Sequence, residues 1–169
     1  MITRTTCITF DYGGTLSDLY AHPDPELGMR PVTAEAIDTV RALAGQGYRL
    51  VLLSNTGPSQ DRTRALDRAG VLDVFTALLQ SHQTGILKPD PLAYAAVCHA
   101  AGCPPEQVMV VGDNYTNDVA GPLAYGMRAA VLRPGGLGPD EHLPYGLHLL
   151  RRLTDLPPLL ARERQGHRP

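Results

Sequence analysis

Short apolar runs recur along this 169-residue chain with helix-forming segments between them, and that alternation narrows its fold more than any other feature. Arg49 to Leu53, Val108 to Val111 and Arg128 to Leu132 are continuous runs without the polar alternation of a half-exposed strand. They read as strands buried on both faces, which is the pattern of a parallel sheet. Phe75 to Gln80 and Leu147 to Leu150 are weaker strand candidates. Thr33 is placed to cap a helix that carries Ile37, Val40 and Ala44 on one face and stops at Gly45 and Gly47. Pro58 is expected to open a second helix closed by Gly70, and Asp90-Pro91 a third that runs to Ala101 and stops at Gly102. A strand, a helix and another strand in repetition predict an α/β domain with a mainly parallel sheet.

Near the end of the chain Pro122 falls where a helix needs an N–H, so an irregular turn is expected near Asn117, with regular helix from Pro122 to Tyr125. A last helix is expected from about Leu156 to Arg164. Residues 1–164 read as one domain, and the tail from Gln165 as frayed. Ser17 to Pro31 has three prolines and no period, which predicts a loop.

Composition removes several classes of function. A formal charge of -2 gives no basic footprint for nucleic acid and no polybasic stretch for a membrane surface. No run reaches transmembrane length, and the first ten residues have neither a basic start nor a long apolar core. Three cysteines at unrelated spacings fit a reducing compartment, so a cytoplasmic protein is expected. Cys98, His99 and Cys103 lie close in sequence, but no second Cys or His pair at zinc-site spacing accompanies them. A homo-oligomer stays open.

Four stretches carry chemistry. Cys7 to Phe10 is an apolar run that delivers Asp11 into the turn Tyr12-Gly13-Gly14-Thr15, where two glycines let backbone N–H groups approach a ligand and a hydroxyl follows. Asp11 could equally be a turn residue. Leu52-Leu53-Ser54-Asn55-Thr56 puts a hydroxyl and an amide at the end of the second strand, where Ser54 could also be a simple cap. Lys88, the single lysine among fifteen Lys and Arg residues, sits in Gly85-Ile86-Leu87-Lys88-Pro89-Asp90. Its compact ammonium can lie against a phosphate and a carboxylate together, whereas a solvated surface lysine is the plain alternative. Gly112-Asp113-Asn114-Tyr115-Thr116-Asn117-Asp118 offers two carboxylates, Asp113 and Asp118, to one hard cation, or else to a turn and a helix N-terminus.

In this order the four stretches resemble the motifs of the haloacid dehalogenase-like hydrolase superfamily. The first family motif is Asp-x-Asp-Gly-Thr, matched here by Asp11, Gly14 and Thr15, while Gly13 stands where the second Asp belongs. The resemblance implies a doubly wound, Rossmann-like core. Only 38 residues separate Thr15 from Ser54, too few for an inserted helical cap. It implies Asp11 as a nucleophile that becomes an aspartyl-phosphate, Ser54 and Lys88 as its catalytic partners, and Gly13, Gly14, Thr15 and Asn55 as substrate contacts. It implies Mg2+ held by Asp11, the carbonyl of Gly13 and Asp113, with Asp118 alongside, and a small phosphorylated substrate. Two other readings stand beside a magnesium-dependent phosphatase or phosphotransferase. One is carbon–halogen cleavage by the same nucleophile, against which the retained Asp113 counts. The other is a non-catalytic binding protein, which the loss of the second Asp favours.

Overall fold

The computed structural model describes residues 4–166. Six strands form one sheet: β1 (Cys7–Phe10), β2 (Arg49–Ser54), β3 (Ala77–Gln80), β4 (Val108–Gly112), β5 (Arg128–Leu132) and β6 (Leu147–Leu150). Their order across the sheet is β3-β2-β1-β4-β5-β6, and every pairing is parallel. The fold is therefore a Rossmann-like α/β sheet. Winding reverses between β1 and β4, which lie side by side in the centre, and that reversal opens a crevice beyond their carboxyl ends.

Alternate residues of the central strands serve opposite faces, which is why their sequences are apolar throughout. Ile8, Phe10, Leu50, Leu52, Met109 and Val111 pack with α1 (Ala34–Gly45) and α6 (Leu156–Gln165). Cys7, Val51, Leu53, Val108 and Val110 pack instead with α4 (Pro91–Ala101). Thr33 caps α1 by accepting from the Ala36 N–H, and Asp90 caps α4 by accepting from the Leu92 N–H, with Gly102 left-handed at the end.

Two expected starts move. The helix expected from Pro58 begins at Arg62, as α2 (Arg62–Arg68), because Asp61 supplies the capping carboxylate to the Thr63 N–H while Gly57 and Gln60 close a separate turn. The third strand begins at Ala77, since Leu72–Val74 and Phe75 form a 3₁₀ turn. A one-turn helix, α3 (Ser81–Thr84), follows it directly. The irregular turn expected near Asn117 is a π-helical segment, Thr116–Ala120, running into α5 (Gly121–Ala124). There the Gly121 N–H reaches back five residues to the Thr116 carbonyl, immediately before Pro122, which has no N–H to give. The end expected to fray from Gln165 falls mainly on residues 167–169, outside the described residues.

Residues 17–31 carry no helix, yet they are tied to the core. Ser17 bridges to Val32 and Asp24 to Met29, Leu27 and Met29 are buried, and the Arg30 carbonyl accepts from the Tyr12 hydroxyl at 2.6 Å. At the far edge, Glu163 of α6 accepts from Arg128 of β5 and pairs with His148 of β6. Burial pushes its carboxyl up, but hydrogen bonds and charge from His148 and Arg128 outweigh that and hold it at about 2. A carboxyl depressed on folding stabilises above its unfolded pKa, near 4.5, and loses that contribution as pH falls towards 2. Glu163→Gln is therefore expected to cost about 1–2 kcal/mol at pH 7, discounted for partial exposure, and much less at pH 3. Urea unfolding of both proteins at the two pH values measures it, and an undiminished gap at pH 3 would contradict this account.

Candidate active site

The sheet delivers Asp11 and Asp113 to adjacent positions because each directly follows one of the two central strands. The Asp11 N–H continues the ladder by donating to the Val111 carbonyl at 2.9 Å. The chain then turns around one acceptor: the Tyr12 carbonyl takes the N–H groups of Thr15, Leu16 and Ser17, and those of Gly13 and Gly14 are not among its donors. Gly14 has φ +71, and a Cβ there would lie 2.1 Å from Asp113 Oδ2. Only glycine allows the two loops to meet. Gly13 differs, since its φ is not positive and nothing lies within 4 Å of where a Cβ would stand.

Lys88 is the hub. Its Nζ donates to Asp11 Oδ1 at 3.0 Å and to Asp118 Oδ1 at 2.7 Å, and its side chain is only 2% exposed. Burial alone would lower the ammonium pKa, but the two carboxylates outweigh it and raise it. Asn55 fixes the backbone beneath: its Nδ2 donates to the Lys88 carbonyl at 2.9 Å and its Oδ1 accepts from the Lys88 N–H at 2.8 Å. This two-point clamp aims the lysine from the end of β2. Asp118 is fully buried, with its second oxygen accepting from the Asn114 N–H at 3.0 Å. A Cβ on Gly112 would lie 2.1 Å from that carboxylate, so the end of β4 is glycine to admit it.

Asp11, Asp113 and Asp118 can each point one oxygen to within 4.8 Å of the others, a set of hard donors that suits magnesium or another divalent cation. Burial raises the Asp11 carboxyl to about 6 against the pull of Lys88, with Asp118 pushing the same way. Asp113 is also raised, by burial and then by Asp118. Three carboxylates share one directly bonded cation, Lys88, while Arg62 and Arg133 act on them through space without a bond to their side chains, and a divalent cation is the ligand that answers this charge.

A cavity of about 270 Å³ collects Asp11, Gly13, Ser54, Asn55, Lys88, Asp113 and Asp118. Thr15 is not on it; it lines a separate cavity with Ser17 and Thr33, its buried Oγ1 without a hydrogen-bond partner. Gly14 supports the site through Asp113. Sequence reasoning missed Arg62, Asn114 and Asn117, which also line the cavity. Asn114 and Asn117 stood inside the motif already singled out. Arg62 carries no signal, being one arginine among many on a short helix.

A family model described as haloacid dehalogenase-like hydrolase matches residues 19–126, a span holding Ser54, Lys88, Asp113 and Asp118. The chain belongs to that family. A phosphoserine phosphatase of Thermus thermophilus is 35% identical over 111 residues, 66% of this chain and 44% of that protein. Two solved structures align comparably: a phosphatase of this family from Thermococcus onnurineus (27% identity, TM-score 0.65, 76% of this chain and 58% of that one) and a 2-haloacid dehalogenase from Pseudomonas syringae (28%, 0.67, 79% and 55%). The chain spans about half the length of the curated relatives it matches. Between β1 and α1, where residues 11–33 run, no helix is present to cover the cavity of this family member.

Proposed function

We propose that this family member is a magnesium-dependent phosphohydrolase that works through an aspartyl-phosphate at Asp11. The observation that carries the reading is Asp11 itself: a carboxylate at the mouth of the central crevice, held 3.0 Å from a buried ammonium and facing Ser54 and Asp113 in one cavity. The phosphatases among its relatives support it.

In this reading Asp11, Asp113 and the Gly13 carbonyl hold the cation, and Asp118, with both oxygens engaged, keeps Lys88 and the Asn114 loop in place. The bound cation supplies charge neutralisation for phosphoryl oxygens. Lys88, the Ser54 hydroxyl and the backbone N–H groups of Gly13 and Gly14 orient those oxygens for in-line attack. An Asp11 oxygen then forms a bond to phosphorus as the ester P–O bond breaks, and the departing oxygen takes its proton from solvent, because Gly13 has none to give. Water attacks the aspartyl-phosphate, releasing inorganic phosphate and restoring Asp11.

Asp11→Asn is expected to lower kcat on an aryl phosphate by on the order of 10⁴-fold or more. It should also remove the rise in Tm that beryllium trifluoride with magnesium produces in the parent protein. Equal turnover in the two proteins would overturn the assignment. Beryllofluoride stabilisation without turnover on any phosphoester would favour the binding-protein reading, for which the missing acid at Gly13 speaks. Metal-free halide release from a 2-haloacid would favour the dehalogenase reading.

A further inference from the structure

A second cavity of about 220 Å³ adjoins the first, sharing Gly13, Leu19 and Arg62 with it, and is completed by Tyr12, Met29, Arg30 and neighbouring loop residues. Two arginines and no acidic residue line it among the described residues. Arg62 is the unusual member. It is 9% exposed, and no carboxylate pairs with it among the described residues. Its guanidinium stacks over the Tyr12 ring at 4.4 Å, Nη1 has only the Met29 sulfur at 3.5 Å, and buried Nε has no acceptor.

Asp11 is the carboxylate whose charge reaches the guanidinium, but only across the shared cavity and without a hydrogen bond, so the desolvated N–H groups have no anionic acceptor. The structure holds Arg62 in place all the same. The fully buried Gln80 at the end of β3 accepts from the Arg62 N–H at 2.7 Å and donates to the Asp61 cap at 2.8 Å, which fixes the start of α2. Asp11, the acid nearest in function, is already taken by Lys88. What the guanidinium lacks is a planar anion that can accept two of its N–H groups.

We infer that Arg62 anchors a second anionic group of the substrate, so that the preferred substrate is a small phosphomonoester bearing a carboxylate a few bonds from phosphorus. The inference rests on the phosphohydrolase reading of the first cavity. The phosphoryl group sits at Asp11, the linking atoms pass Gly13 and Leu19, and the carboxylate meets Arg62, with Arg30 adding positive potential from the loop. The bare glycine at 13 leaves the passage between the cavities open. Tyr12, its ring beneath the guanidinium and its hydroxyl bonded to the Arg30 carbonyl, keeps the anchor from swinging.

Non-hydrolysable phosphonates separate this inference from catalysis. With magnesium present, calorimetry should show 3-phosphonopropionate binding about 10–100-fold more tightly than propylphosphonate, which has a methyl in place of the carboxylate, as a charged hydrogen-bonded anchor gives. Arg62→Gln should abolish the preference, and Arg62→Lys, which keeps the charge without the fork, should retain only part of it. Circular dichroism checks both variants, and Arg62→Lys carries the test if Arg62→Gln does not fold. Equal binding of the two phosphonates by the parent protein, or an intact preference in a folded Arg62→Gln, overturns the inference and leaves the phosphohydrolase reading standing. No binding of either phosphonate overturns both.

Discussion

Replacing Lys88 by methionine is expected to abolish turnover and to destabilise the fold by about 3–5 kcal/mol at pH 7, the cost of stranding a buried charge. Methionine fills the same space, so packing is nearly conserved and the loss is electrostatic. It falls chiefly on Asp118, which is fully buried and has only the Asn114 N–H left once the 2.7 Å contact to Nζ is gone. A second substitution separates the two consequences. Asp118→Asn added to Lys88→Met removes the stranded charge and keeps an acceptor for Asn114, so most of the lost stability should return while activity does not. Chemical denaturation and aryl phosphate turnover of the single and double variants measure both. If the double variant is no more stable than Lys88→Met, Asp118 is not the source of the cost.

Gly13→Asp should act in the opposite direction. Departure of an alkoxide from phosphorus needs a proton in the transition state, and general acid catalysis of that kind contributes about 10²–10⁴-fold. Asp11 cannot give that proton while it attacks. The structure permits the restoring substitution: residue 13 has no positive φ, its Cβ position is open, and it lines the cavity with Asp11. The variant is expected to gain within that range on alkyl phosphates and little on acyl or nitrophenyl phosphates, whose leaving groups depart unprotonated. The same carboxylate would narrow the passage towards Arg62 and repel a second anion, so the gain should be smaller on carboxylated esters. Parallel kcat measurements on the three substrate classes test it; a folded variant with no gain on alkyl phosphates removes the missing-acid account.

The core of this fold was legible because its strands are buried on both faces, so β2, β4 and β5 stood out as unbroken apolar runs. Asp11 and Asp113 were legible for the same reason, each being the polar residue that ends such a run. Their convergence follows from strand order, which the motif order implied. What the chain did not disclose depended on pairings far apart in sequence. Nothing local marks Asn55 as the clamp on Lys88 or Gln80 as the brace for α2, since each meets its partner only after β2 or β3 joins the sheet. Pro58 was misleading because proline is acceptable in a tight turn as well as in the first turn of a helix, and the capping carboxylate of Asp61 decided between them. Arg62 was invisible since its distinction is a missing partner, and a sequence records residues, not vacancies around them.

The two halves of the site are anchored with unequal firmness. Asp11 and Asp113 extend directly from β1 and β4, the innermost strands, whose opening requires the sheet itself to come apart. Arg62 and its cavity rest on a seven-residue helix and on a loop pinned by a few bridges and hydrogen bonds, segments of the kind that open locally at far lower free energy. On the proposed reading, chemistry would be lost only with the sheet itself, and selectivity with a local opening of the rim. Sequence drift in residues 17–31 or in α2 can retune what the protein accepts while sparing the catalytic centre, which makes this rim the place where relatives with different appetites would diverge.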